Sequence, residues 1–130
     1  MKKVHKISAI IPTLNESENI ETILAHLVKI DANLEIIVAD GQSTDSTAAI
    51  ARKYAKAVDV PRGRAIQMNT GTTHATGDVF WFLHADCLPH PDSSKHIHNA
   101  LLDERVAGGA FNYELDHPAL YFRITDFFPI

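Results

Sequence analysis

Short apolar runs alternate with amphipathic segments along the 130 residues of this chain. The runs at residues 7–11, 35–39 and 79–83 are largely apolar, which is typical of strands buried on both faces of a parallel sheet. The third of these is the most hydrophobic, so we predict that it is central in the sheet. The alternation predicts an α/β fold with a mostly parallel sheet.

The first two predicted helices begin at polar residues. Asn15 can cap the first helix, and Glu18 is placed to return the bond. Ser43, Thr44 and Asp45 are predicted to open the second helix. The first helix should bury an apolar stripe at helical spacing, which comprises Ile20, Ile23, Leu24, Leu27 and Val28.

Later elements are predicted from shorter signals, and the apolar tail at 120–130 has no clear cap. Glycine and proline mark most of their boundaries. The predicted elements are a short strand at 57–60, a loop at 61–64, a helix at 65–75 closed by Gly77, a weak helix at 94–102, and a strand at 106–115 with a bulge at Gly108 and Gly109.

Composition narrows the classes of function. The formal net charge of −4 argues against a nucleic-acid partner, which would require a basic surface. Cys87 is the single cysteine, so neither an intrachain disulfide nor a cysteine-based zinc site is expected, as in a reducing compartment. No stretch approaches the roughly 20 apolar residues of a spanning helix. We therefore expect a cytoplasmic protein and leave association with a membrane open.

Polar side chains follow three of the predicted strands. Ligands of open α/β sheets bind beyond the carboxyl ends of strands, so these positions predict a site for a polar ligand. We favour a ligand role for Asp40 over a turn role, whereas helix capping is an equal alternative for Ser43 and Thr44. The three groups are Thr13, Asn15 and Glu16; Asp40, Gly41, Ser43 and Asp45; and His84 and Asp86.

Positive charge and a metal ligand complete the predicted site. Arg62 and Arg64 flank Gly63, so two guanidinium groups could pair with a phosphate that approaches the glycine backbone. The carboxylate of Asp86 suits Mg²⁺ or Mn²⁺, which would also hold phosphate oxygens. His84 points to the same side of an extended chain, although a packed or capping histidine is an equal alternative.

The other histidines form no constellation in the sequence. His96 and His98 are spaced i, i+2 on a predicted helix and so do not face each other. His90 and His117 lie near prolines, and a structural or solvated role is favoured for all four. Neither a GxGxxG nor a GxxxxGK[ST] pattern occurs, which weakens the alternative of a Rossmann-like oxidoreductase.

Four motifs in order resemble those of the family 2 glycosyltransferases. The segment 10–16 resembles their opening motif, 40–45 resembles D-[DG]-x-S-x-D, 63–78 resembles the stretch before the metal strand, and 82–86 resembles F-L-D-x-D. The resemblance implies a GT-A (Rossmann-like) three-layer sandwich. It also implies transfer of a sugar from a nucleotide-diphosphate sugar, commonly a UDP-sugar, to an acceptor hydroxyl with help from a divalent metal.

The resemblance also implies roles for single residues. Asp40 would contact the base, with Ser43 and Asp45 supporting its loop, and Asp86 would bind Mg²⁺ or Mn²⁺. The nucleotide-sugar pocket would be lined by Pro12, Thr13, Asn15, Glu16, Asp40, Gly41, Ser43, Arg64, Asn69, His84, Ala85 and Asp86.

His84 departs from the family pattern, which usually has aspartate at this position. Histidine brings no negative charge, so either the metal affinity is expected to be weaker or the use of metal is expected to differ. The H-A-D form, together with P-R-G-R and G-G-A-F, resembles a bacterial branch linked with arsenosugar biosynthesis.

The length is a second departure, because the family's catalytic domain has about two hundred residues, a usual domain size. We therefore expect residues 1–130 to be the N-terminal part of one nucleotide-sugar-binding domain, whose apolar tail is covered by missing segments, another subunit or a membrane surface. The catalytic base is unassigned, with Glu114, Asp116 and Asp126 as candidates by default. A nucleotide-binding module without turnover is the alternative function.

Overall fold

The structure, a computed structural model, describes residues 5–113 and 122–129, and describes side chains for residues 5–111. Contacts between Cα atoms divide the chain into two compact units. We call Lys6–Cys87 the sheet unit. We call the other, which comprises Met1–His5 and Leu88–Ile130, the hairpin unit.

The sheet unit contains a four-stranded parallel sheet in the order β3-β2-β1-β4. The α/β fold with a parallel sheet is therefore confirmed. Its strands are β1 (Ile7–Thr13), β2 (Glu35–Asp40), β3 (Lys56–Asp59) and β4 (Val79–Phe82), and its helices are α1 (Ile20–Ile30), α2 (Thr47–Ala51) and α3 (Arg64–Thr73).

The order of the strands explains the layers. The chain runs from β1 through β2 to β3 in one direction and then returns to place β4 on the other side of β1. Parallel crossovers are right-handed, so α1 and α2 cover one face and α3, on the returning connection, covers the other. The predicted three-layer arrangement is confirmed for the sheet unit.

The core lies where α1 packs beside the sheet. α1 buries a stripe at helical spacing, and β1 and β2 are buried along most of their length. Val28 was predicted to join this stripe but is 47% exposed, because only one side of α1 faces the core. The fully buried side chains include Ile10, Ile11, Ile20, Ile23, Leu24, Leu27, Ile37 and Val38.

α3 approaches the opposite face closely because it carries a glycine there. A Cβ atom on Gly71 would lie 2.7 Å from Cγ2 of Ile10 and 3.5 Å from Cβ of Ala39. Gly71 therefore permits the close packing of α3 on the sheet.

β4 is the strand whose predicted position was wrong. It lies at one end of the described sheet rather than at its centre. Trp81 is buried, but Phe80 and Phe82 are each 45% exposed. The hydrophobicity of a strand reflects the burial of its two faces and does not determine how many strands pair with it. The inner strands of the described sheet are β1 and β2.

The amino-terminal ends of the strands are joined through Glu35. Its carboxylate accepts hydrogen bonds from the Ser8 hydroxyl (2.6 Å) and from the Thr76 amide (2.7 Å) and hydroxyl (2.9 Å), and Lys6 Nζ lies 3.7 Å away. Burial raises the pKa of Glu35, but these hydrogen bonds and the Lys6 charge outweigh it and lower the pKa to about 2.

The hairpin unit contains α4 (Ser93–Ala100) and the antiparallel strands β5 (Val106–Tyr113) and β6 (Phe122–Pro129). The register shifts between Val106 and Gly108, which confirms the bulge predicted near this glycine. The described part of the apolar tail is strand β6, which pairs with β5. The sequence pattern did not identify this partner. Among the described residues, no helix combines the length and apolar character that a membrane span requires.

Replacing Gly71 with alanine is expected to destabilise the sheet unit. The added methyl group would overlap the buried Ile10 side chain, and such overpacking costs about 1–3 kcal/mol. Alanine regains about 1 kcal/mol of helix propensity, so the free energy of unfolding should fall by a net amount of up to ~2 kcal/mol. Urea denaturation measures this. Gly108→Ala is the control, because nothing lies within 4 Å of its Cβ position, and an equal loss there would contradict the packing explanation.

The lowered pKa of Glu35 predicts that the stability of the fold depends on pH in the acid range. Because its pKa is lowered from 4.5 to about 2, its contribution to stability is present above pH 4.5 and is lost as the pH falls towards 2. The free energy of unfolding should therefore fall less steeply with acidification in Glu35→Gln than in the wild type within this window. Parallel slopes in urea titrations at several pH values would show that Glu35 makes no such contribution.

Candidate functional site

The candidate site lies at the carboxyl edge of the parallel sheet. The strand order reverses between β1 and β4, which is the point where open α/β sheets bind ligands. Thr13 and Asp40 are register partners at the ends of β1 and β2, and the Leu83 amide continues the β4 ladder by donating to the Ile10 carbonyl (3.0 Å). The segments that follow Thr13, Asp40 and Phe82 therefore leave the sheet at one edge.

Asp40 is buried beneath this edge, with 4% of its surface exposed. Its Oδ1 accepts hydrogen bonds from the hydroxyls of Thr13 (2.8 Å) and Ser43 (2.6 Å), and its Oδ2 accepts one from the Ser43 amide (3.0 Å). An ionised carboxylate offers about four acceptor positions, so a position on Oδ2 is left for a ligand donor. Asp40 both organises the loop and retains capacity to bind.

Asn15 joins the first loop to the second, and its predicted role as a helix cap was wrong. It has a left-handed backbone (φ 53°), and α1 begins only at Ile20. The Asn15 amide donates to the Ser43 hydroxyl (2.8 Å), and its side-chain oxygen accepts from the Thr44 amide (2.8 Å). A short polar side chain that tolerates this conformation locks two loops together instead of starting a helix.

Glu16 and Pro12 complete the first loop. Both are partly buried. The Glu16 amide donates to the Thr47 hydroxyl (2.9 Å), and its carboxylate accepts from the Asn19 side chain (3.1 Å). Pro12 is the register partner of Ala39.

Asp45 supports the second loop from its far end. The Thr47 hydroxyl and amide (3.0 Å) donate to Oδ1, and the Ser17 amide donates to Oδ2 (3.2 Å). The hydrogen bond from the Thr47 hydroxyl is the main cause that lowers the pKa of Asp45 to about 2. α2 begins at Thr47, so the predicted start at residues 43–45 was early: these residues bond across the loops instead.

Gln67 is a structural determinant of the site that the sequence did not reveal. It is 4% exposed. Its Nε2 donates to the carbonyls of Thr13 (2.8 Å) and Ala39 (2.9 Å), and its Oε1 accepts from the Gly63 amide (3.1 Å). A glutamine in a helix with little apolar periodicity gives no signal of this role, since its partners are backbone atoms distant in sequence.

Gly41 is required because the Gln67 side chain lies directly against it. A Cβ on Gly41 would lie 2.8 Å from Cδ of Gln67. The Gly41 amide donates to the Thr13 carbonyl (2.9 Å), which continues the β1–β2 ladder into the loop. Gly41 is thus part of the junction of strand ends as well as the turn.

The two arginines place positive charge beside this junction. Arg62 and Arg64 are exposed, and neither pairs with a carboxylate among residues 5–111. Arg62 Nε donates to the Gly41 carbonyl (3.4 Å), while Arg64 begins α3 after Gly63, whose φ of 142° favours glycine. Asn69 is exposed on the same helix. The Gly63 amide is bonded to Gln67, so its predicted approach to phosphate would have to displace that bond.

His84, Ala85 and Asp86 form a turn after β4, closed by the Cys87 amide donating to the His84 carbonyl (3.2 Å). His84 and Asp86 are exposed, whereas Ala85 between them is buried. The extended geometry assumed for this segment does not continue through Asp86, but exposure still alternates along it.

Asp86 fits a hard cation. Within residues 5–111 the Cys87 thiol (Sγ to Oδ1 3.6 Å) is its hydrogen-bond partner, and no ion pair neutralises it. Mg²⁺-type ions are commonly held by one or two carboxylates plus substrate phosphates and water. One exposed carboxylate at the carboxyl edge of the sheet is compatible with that pattern, and the neighbouring His84 adds no anionic ligand.

Three of the residues singled out in the sequence cannot be placed. Glu114, Asp116 and His117 lie outside the described residues. The backbone of Asp126 belongs to β6, but its side chain is also outside the described part. The catalytic base stays unassigned.

Comparisons with known proteins find glycosyltransferases. The sequence model of Glycosyl transferase family 2 matches residues 8–128. Glycosyltransferase AglE of Haloferax volcanii is 34% identical over 95 residues, which is 65% of this chain and 31% of that protein. Dolichol-phosphate mannosyltransferase of Pyrococcus furiosus is 35% identical over 95 residues, 66% of this chain and 27% of that protein. The chain thus spans less than a third of each of these relatives.

Solved structures share the fold. Mannosyltransferase PcManGT of Pyrobaculum calidifontis, in complex with GDP-Man and Mn²⁺, is 30% identical with a TM-score of 0.68 over 86% of this chain and 36% of that one. Glucosyl-3-phosphoglycerate synthase of Mycobacterium tuberculosis, in a complex that includes Mn²⁺ and UDP, is 28% identical with a TM-score of 0.65 over 76% of this chain and 40% of that one. The GT-A fold expected from the motifs is confirmed.

Replacing Gln67 with leucine should destabilise the sheet unit although the side chain stays similar in size. The Ala39 carbonyl and the Gly63 amide would each lose the Gln67 hydrogen bond, and an unsatisfied buried polar group costs about 1–3 kcal/mol. The free energy of unfolding in urea should fall by about that amount. Asn69→Leu applies a similar change to the exposed side of the same helix and should have little effect. Equal losses in both variants would contradict the role given to Gln67.

Proposed function

Because the chain belongs to glycosyl transferase family 2, we propose that it binds a nucleotide-diphosphate sugar, of the UDP-sugar class, for transfer of the sugar to an acceptor hydroxyl. The observation that carries this proposal is that the segments after the parallel strands leave the sheet at one edge. They carry a hydrogen-bonded acid, two arginines without carboxylate partners among residues 5–111, and an exposed aspartate. A nucleoside diphosphate presents the complementary groups, namely base and ribose donors and an anionic diphosphate.

The donor would be held from two sides of the switch point. Asp40 accepts from the base at its remaining carboxylate position, within a pocket lined also by Pro12, Thr13, Asn15 and Glu16. Arg64 and Asn69 lie towards the ribose and diphosphate. The loop acids are already fixed by hydrogen bonds, so binding does not have to order them, and this preorganisation favours affinity.

The transfer forms a bond between the acceptor oxygen and the anomeric carbon and breaks the bond from that carbon to the diphosphate, which leaves with the electron pair. Mg²⁺ or Mn²⁺ at Asp86, when bound, would neutralise the leaving diphosphate. Arg64 contributes further positive charge to that group. A base takes the proton of the acceptor hydroxyl.

Titration calorimetry with UDP, with and without Mn²⁺, combined with an assay for UDP released from UDP-sugars, tests the proposal. Metal-dependent UDP binding together with UDP release supports a glycosyltransferase. Binding without release would favour the alternative, a nucleotide-binding module without turnover. No binding of UDP or GDP would contradict both.

Asp86→Ala is expected to remove the Mn²⁺ dependence of UDP binding while the fold survives, because Asp86 is exposed and its described side-chain bond is to the neighbouring Cys87. The enhancement of UDP binding by Mn²⁺ should fall by at least about tenfold, because mutating residues that only hydrogen-bond to a metal ligand already lowers metal affinity by about 10–100-fold. Asp103→Ala, at an exposed acid paired with Arg105 in the hairpin unit, is the control. An unchanged response to Mn²⁺ in Asp86→Ala would refute the metal assignment.

Asp40→Ala is expected to weaken UDP binding equally with and without Mn²⁺. Loss of a hydrogen bond to a charged group costs about 1.5–3 kcal/mol, or roughly 10–150-fold in affinity. Asp45→Ala is the comparison variant, because it removes the other acid that supports the same loop. It shows how much affinity is lost when loop support alone is removed. Asp40 is a ligand residue if its variant loses clearly more affinity than Asp45→Ala. Wild-type affinity in Asp40→Ala would remove it from the pocket.

A further inference from the structure

A second group of metal-ligating side chains lies in the hairpin unit, at the start of α4. His90, Asp92 and His96 each present one ligand atom, and these atoms lie within 4.8 Å of one another. His90 Nδ1 is 4.0 Å from Asp92 Oδ2, and the two imidazole rings have centroids 6.5 Å apart. Their spacing in the sequence predicts structural or solvated roles for both histidines, because the turn that brings them together is not apparent from that spacing.

The backbone explains why these three side chains converge. Asp92 and His96 are one helical turn apart, with the His96 amide donating to the Asp92 carbonyl (3.0 Å), so they share a face of α4. The preceding turn returns His90 to the same place. The buried Ser93 fixes that turn by donating from both its amide (3.0 Å) and its hydroxyl (2.7 Å) to the His90 carbonyl.

Asp92 has a carboxylate that the helix does not use. It occupies the N-cap position of α4, where aspartate usually accepts a backbone hydrogen bond, yet its side chain makes no cap bond. Its side chain is 61% exposed, and that of His90 is 29% exposed. The carboxylate thus points its charge towards the histidines rather than into the helix terminus, and the side chains have room to adjust.

We propose that His90, Asp92 and His96 form a binding site for a divalent transition metal ion of the Zn²⁺ type. Two imidazole nitrogens and one carboxylate oxygen suit Zn²⁺ and its neighbours, whereas Mg²⁺ and Ca²⁺ require mostly oxygen ligands. The three ligands fill three of four tetrahedral positions, so water or a group from a partner would complete the coordination. The site belongs to a different unit of the chain from Asp86 and has the opposite metal preference.

Binding requires a small adjustment of the side chains. Ligand atoms about 2.0–2.1 Å from a tetrahedral ion are about 3.4 Å apart, which is shorter than the 4.0 Å between His90 Nδ1 and Asp92 Oδ2. The Asp92 amide donates to His90 Nδ1 (3.1 Å), so a metal at that nitrogen would replace this bond, or the ring would turn to present Nε2. The structure therefore indicates a preformed backbone with side chains that close on the ion.

The test is calorimetric titration of the chain with ZnCl₂, without nucleotide, in the wild type and four variants. His98→Ala is the matched control, because His98 is on the same helix but outside the cluster. Binding of one Zn²⁺ per chain is expected in the wild type, in His98→Ala and in Asp86→Ala. His90→Ala and His96→Ala should each lose affinity by at least about tenfold. MgCl₂ should not compete for this site.

A thermal shift provides a second measurement. A ligand that binds the folded state raises the melting temperature, so Zn²⁺ should stabilise the wild type and His98→Ala but stabilise His96→Ala much less. The proposal is overturned if His98→Ala loses as much affinity as His96→Ala, if neither histidine of the cluster matters, or if Asp86→Ala abolishes the binding. Circular dichroism of each variant shows that a lost signal does not come from a lost fold.

Discussion

The side-chain amide of Gln67 holds together the strand ends at which we propose the nucleotide site. Its Nε2 donates to the Thr13 and Ala39 carbonyls at the carboxyl ends of β1 and β2. Its Oε1 accepts from the Gly63 amide, which precedes α3. Gln67 is almost fully buried, so loss of its amide would leave buried backbone groups short of a hydrogen bond. Gly41 has to lack a side chain for this contact to exist. Both loops and the start of α3 therefore depend on one amide.

On this junction the polar groups divide into two kinds. One kind forms hydrogen bonds within the loops, with other side chains and with loop amides, and so stiffens the edge; it comprises Asn15, Asp40, Ser43 and Asp45. Arg62, Arg64 and Asp86 are exposed and lack ion-pair partners among residues 5–111, so their charges are available to a ligand. A rigid inner layer beneath exposed charges would suit the proposed binding of a diphosphate, because little reorganisation would be needed. The proposed metal site of α4 has a comparable arrangement, in which a fixed turn carries adjustable ligands.

The errors of sequence-based prediction have a common cause. Asn15 and Ser43 have the residue types of helix caps, and local rules assign them to caps, but they bond to each other across 28 positions of sequence. β4 was predicted to be central from its hydrophobicity, whereas strand order depends on which neighbours pair with it. His90 and His96 are unremarkable until a turn brings them together. Each error concerns a contact between residues that local patterns treat separately.

The sequence by itself determined the alternation of strands and helices, the motif positions at strand ends and the membership of the family. These depend on periodicity and on residue types within short segments, which are present before folding. The tertiary structure alone decided that Gln67 joins the strand ends, that Asp40 is buried under the loop it organises, and that Asp86 stays exposed. Those properties depend on which backbone atoms meet after the crossovers close, and closure is a consequence of packing rather than of any local pattern.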